Sequence, residues 1–162
     1  MTVSEGKAIA TAVAKALNAA KDAGTLAIQS DDATAQEQVP EIKKEAIGLG
    51  KLTVVPVARR SVREARDFWR YEHDVDVALI HNIEVGLPNR EEQIEESHKQ
   101  AELLDEWFAD TANEQLTLVD AVSGATTAEF ISSVLNFLAS EQLENLNVAM
   151  SVTRLTFHVW RT

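Results

Sequence analysis

The sequence contains no cysteine. Disulfide scaffolds, thiolate metal sites and cysteine nucleophiles are therefore excluded. Aromatic residues are scarce, with five Phe, three Trp and one Tyr in 162 residues. Glycine and proline number only six and three, and phosphate-cradling loops are missing with them. Gly48, Gly50 and Gly124 form no GxGxxG and precede no Lys-Ser/Thr pair. Long hydrophobic runs are also absent. Residues 4–22 are amphipathic and carry Lys7, Lys15, Lys21 and Asp22, so they read neither as a signal-peptide core nor as a membrane span. Positive charge is short as well. Fifteen Lys and Arg stand against 26 Asp and Glu, a formal net charge of −11. Such a surplus disfavours free binding to DNA or to an anionic membrane.

What is present fits one globular domain, residues 1–162, with 45% apolar content and mixed charge. Residues 4–22 read as a helix capped by Ser4 and stopped at Gly24, with an apolar face made mostly of alanine. A short strand is expected over 25–29. A long polar loop follows over 30–50, with a helical turn at 41–46. Residues 51–57 read as a strand, at a sheet edge or ending at Pro56, which has no amide to donate. A second strand spans 71–83. Tyr71, His73, Val75, Val77 and Leu79 fall on one of its faces, and Glu72, Asp74 and Asp76 on the other. Residues 89–110 read as a helix, with Asn89 and Glu92 at capping-box spacing and Ile94, Ala101, Leu104 and Phe108 in one stripe. After a brief apolar stretch at 116–119, residues 127–139 read as a further helix, capped by Thr126 and Glu129, with Ile131, Val134, Leu135 and Leu138 inward. The C-terminal stretch from 147 reads as a strand whose apolar parity changes midway. Either a bulge near Thr153 and Arg154 or burial on both faces explains the change. The expected class is α+β: a mainly antiparallel sheet with a long central β-hairpin and helices packed on one face.

Little in the sequence points to chemistry. His73, His81, His98 and His158 show no metal-ligand spacing, and the alternation puts His73 on the face opposite Asp74 and Asp76. Ser61, Ser97 and Ser123 lie in no GxSxG elbow. No enzyme, cofactor or metal site is expected. Glu72, Asp74 and Asp76 read as a solvated acidic face, or one that meets a neighbour's arginines.

The unusual segment is VVPVARRSVREARDFWR, residues 54–70. It holds five of the eight arginines, Arg59, Arg60, Arg63, Arg66 and Arg70, and is +3 by itself. Residues 71–129 are −13. Phe68 and Trp69 beside the arginines suit a nucleic-acid module that stacks bases. Arginine and tryptophan are equally the favoured anchors of protein interfaces. A basic hairpin arm at about 58–70 on an acidic body is self-complementary, and head-to-tail contacts of that kind close into rings when the rotation permits. On this reading Arg59, Arg60, Arg63, Arg66, Trp69 and Arg70 make subunit or partner contacts. Glu72, Asp74 and Asp76 supply the acidic counter-surface or line a lumen.

The stretch KLTVVPVARRSVREARDFWRYEHDVDVALIHNI resembles the central hairpin of small tail proteins of tailed bacteriophages. There a strand ending in Val-Val-Pro leads into an Arg/Glu-rich tip and a returning strand of Tyr-x-x-Asp-Val-x-Val type. SVTRLTFHVWR resembles the closing strand of that family, the tail terminator or tail-completion proteins of long-tailed phages. The resemblance implies an α+β subunit in a hexameric ring that caps the tail tube and meets the head-proximal neck. Its partners would be further copies of itself, the tail tube protein and a connector or stopper protein, with genome DNA passing through the lumen unbound and no membrane involved. The protein would reside in the virion, and in host cytoplasm during assembly. A stopper or head–tail joining protein, and a nucleic-acid-binding module, are the alternative readings.

Overall fold

The computed structural model of the chain describes residues 4–37, 43, 47–84, 89–110, 115–120, 124–138 and 141–161. Helix α1 runs Glu5–Asp22. Ser4 caps it as the sequence anticipates, its hydroxyl accepting the Lys7 amide. Gly24 follows at φ 77°, a left-handed position that costs glycine no Cβ clash. Ile9, Val13 and Leu17, with Ala10, Ala14 and Ala20, make the buried stripe.

Six strands follow: β1 (Thr34–Ala35), β2 (Lys51–Ala65), β3 (Phe68–Asn82), β4 (Gln115–Asp120), β5 (Gly124–Leu138) and β6 (Val148–Arg161). Helix α2 (Arg90–Asp110) precedes β4, and the short α3 (Glu141–Leu146) precedes β6. The strands form one sheet in the order β1-β2-β3-β6-β5-β4. Every pairing is antiparallel except that of β1 with β2. The class is α+β, with the long hairpin β2–β3 at its centre.

The alternation along β3 decides what lies where. Val75, Val77 and Leu79 join Leu155, Phe157 and Val159 of β6 in a core shared with α1 and with Ala101, Leu104 and Phe108 of α2. Each such Val, Leu or Phe side chain, fully buried, contributes roughly 1.5–3 kcal/mol. Ala78 and Ile80 point the other way and pack with Val148, Met150, Ile47 and Leu143 of α3. The helices therefore do not all lie on one face: α1 and α2 cover one, and α3 meets the other. This also explains the parity change in β6. Its register against β3 is unbroken from Asn82↔Val148 to Trp69↔Arg161, so no bulge is needed against β3. The start of β6 is buried on both faces instead.

Two further expectations are corrected. Residues 127–139 are not a helix; through Leu138 they belong to β5, with a register shift between Phe130 and Ser132. Ile131, Val134 and Leu138 are exposed rather than inward, while Leu135 packs against the core. The spacing of those four residues fits a helix stripe, but pairing with β6 outweighs it, as tertiary context routinely does. Residues 25–29 form no strand, and the two-residue β1 appears inside the expected loop. The helical turn expected at 41–46 lies outside the described residues. The basic segment lies at the turn end of the β2–β3 hairpin. Strands β2 and β3 continue to Ala65 and Phe68, and β6 pairs with β3 up to Trp69. The tip is the end of a three-stranded sheet.

Candidate interaction site

Because β2 and β3 remain paired to the turn, the arginines separate by parity onto two faces. On the outer face, away from α1 and α2, Arg60 reaches across to Glu72 at 3.0 Å and to Asp74 at 2.7 Å. Arg70 pairs with Glu64 at 2.6 Å and Glu72 at 3.2 Å. Arg154 of β6 chelates Asp76 through Nε and Nη2. The Thr156 hydroxyl donates to Asp74, and His158 Nε2 lies 3.3 Å from Glu72. These contacts set the acidity of the carboxyls. The Arg60 hydrogen bond, with Thr156 helping, lowers Asp74; Arg60 likewise lowers Glu72. Asp74 and Glu72 in turn raise Arg60, and Asp76 raises Arg154. Phe68 stacks on Trp160 at 5.3 Å, and the Arg70 guanidinium lies over the same indole.

Glu72, Asp74 and Asp76 thus meet arginines of their own chain. Arg60 and Arg70 are held by the same pairing. The acidic counter-surface expected from these three carboxylates is already occupied in cis.

On the helix-covered face, Arg59 lies 4.0 Å over the Tyr71 ring. Arg63 donates to the Ala65 and Arg66 carbonyls and so pins the turn. Arg66 sits at the turn itself, and Trp69 is 37% exposed. Among the described residues, no carboxylate forms an ion pair with Arg59, Arg63 or Arg66. The cationic character left to the tip belongs to these three. Nearer the body, Glu5 at the start of α1 joins His73 of β3 at 2.7 Å and also Arg161 of β6. The His73 hydrogen bond, aided by Arg161, holds its carboxyl down at about 2.

The free acid lies elsewhere. The exposed side of α2 carries Glu91, Glu92, Glu95, Glu96, Glu102 and Glu106, where Lys99 is the one cation and lies 3.8 Å from Glu95. This acid falls within the block 71–129, whereas Glu72, Asp74 and Asp76 of the same block are paired with arginines of their own chain. The excess on one helix face was the available signal. Between the start of α2, α3 and the end of β5 is a cavity of about 360 Å³. It was not legible, because the helix assigned to 127–139 turned Leu138 inward and left Phe137 unplaced.

A second polar cluster ties the fold together. His81 Nε2 lies 2.8 Å from the Gln29 carbonyl, which can only accept, so Nε2 carries the proton. Nδ1 then accepts the Ser97 hydroxyl at 2.7 Å. Burial lowers His81 and keeps it neutral. Gln100 of α2 accepts the Gln29 amide at 2.7 Å. Ser97 and His81 are 5% and 7% exposed, so the cluster clips the segment after α1 to β3 and α2.

No family model and no curated protein matches the sequence. Among the solved structures that match, one whose printed name states no function aligns with a TM-score of 0.48 and 18% identity, covering 94% of this chain and 93% of that one.

Proposed function

We propose that the chain is a structural subunit of a phage tail, of the tail-terminator kind, whose copies join head-to-tail in a ring between tail tube and neck. The observation that carries this reading is the unit β2–β3–β6. The hairpin and the closing strand, on which the resemblance rests, lie side by side along their whole length. A tip with Arg59, Arg63, Arg66 and an exposed Trp69 has the composition of an interface anchor. In this reading the tail tube protein and a connector or stopper protein bind the two rims of the ring. The acid of α2, rather than that of β3, lines the lumen or receives a partner. Phosphates find no counter-charge along such a wall, so DNA slides past it.

Electron microscopy of the purified protein, paired with a titration of duplex DNA over a salt series, tests this. Annular particles with a central hole, and no saturable DNA binding, are expected. Single subunits that bind duplex DNA with an affinity falling steeply in salt would replace this reading with the nucleic-acid one.

A further inference from the structure

We propose that the tip of one copy seats in the groove between α2, α3 and the end of β5 of the next copy, with Trp69 entering the groove and Arg66 meeting its acidic rim. This rests on the homo-oligomeric reading above and names the surfaces that join.

The groove is built for an apolar, cationic visitor. Ile94 and His98 of α2 form one wall, and Leu143 of α3 the other. Phe137 and Leu138, each 42% exposed, come from the end of β5. Glu91 and Glu144 stand at the rim, while the one arginine there, Arg90, is tied to the Asn147 side-chain oxygen. The tip is the chemical complement. It presents an exposed indole, a cation at the turn with no carboxylate partner among the described residues, and a turn bridged by Arg63. A preorganised aromatic beside an arginine loses little freedom on docking.

The two surfaces cannot meet within one chain. The register places Trp69 opposite Arg161 at one end of the sheet, and Asn82 opposite Val148 at the other. Leu138 pairs with Met150 at that second end. At about 3.3 Å per residue the separation is roughly 40 Å. Only a second copy can bring a tip to the groove. Donor and acceptor surfaces differ, so each copy gives one contact and receives one. A heterologous contact of this kind builds a ring when its rotation closes.

The absence of native cysteine supplies a clean test. Arg66→Cys and Glu144→Cys are placed together in one chain, both at exposed positions. Mild oxidation should give a ladder of covalent dimers, trimers and larger species on a non-reducing gel. The ladder should vanish when Trp69→Ala is added, and should not form when Lys15→Cys replaces Arg66→Cys. Independently, Leu138→Glu should weaken association roughly tenfold or more, the loss typical of an interface anchor. If the parent forms rings by microscopy but the Cys pair stays monomeric and Leu138→Glu assembles normally, this contact is wrong and the ring reading survives. If the parent never assembles, the ring reading fails and takes the contact with it.

Discussion

Glu5 shows how one carboxylate can fasten three elements. It sits on the first turn of α1 and bonds His73 of β3 and Arg161 of β6. Its folded carboxyl titrates at about 2, against an ordinary value of 4.5. Above 4.5 both states are ionised and the contribution is whole. As pH falls from 4.5 towards 2, the unfolded chain takes up a proton that the folded chain refuses, so stability is lost across that window. Glu5→Gln should therefore lower stability at neutral pH by roughly 1–3 kcal/mol, the range for a charged hydrogen bond with a buried partner. The gap between variant and parent should close as pH approaches 2, which denaturant melts at several pH values would follow. A constant gap would mean that packing, not charge, is what Glu5 contributes.

At the scale of elements, the clip around His81 depends on a close approach. A Cβ on Gly50 would stand 2.3 Å from the Gln29 carbonyl oxygen and 2.8 Å from the His81 ring. Gly50→Ala should cost about 1–3 kcal/mol, as overpacking does, and should speed amide exchange at residues 29 and 31. An unchanged melting temperature would show that the clip yields freely. The same scale explains what could be foreseen. Helix α1 was legible because its cap, stripe and terminal glycine agree. Strand β3 was legible because Val75, Val77 and Leu79 alternate with Glu72, Asp74 and Asp76. Strand β5 was not, since Ile131, Val134, Leu135 and Leu138 satisfy helical spacing and only the β6 pairing decides between the two periods. The candidate site was half legible. The arginine cluster stands out in sequence, but which arginines are neutralised depends on parity and on Arg154, which lies 78 residues from Asp76 along the chain. Separation of that length leaves no local signal.

Across the whole molecule, charge and apolar surface are distributed unevenly. The outer face of β3 and β6 is internally neutralised by Arg60, Arg70 and Arg154. The tip keeps Arg59, Arg63 and Arg66, and the acid sits on α2 at some distance along the sheet. At net −11 the copies repel one another, and contact between the tip arginines and that acid would offset the repulsion. The proposed heterologous contact between tip and groove would do so once per subunit. Native mass spectrometry of the intact protein over a range of concentrations tests this most directly. A single closed species of fixed copy number, six on the resemblance, growing at the expense of monomer without intermediates, is the predicted result. Monomer at every concentration, or an open-ended series of masses, would contradict it.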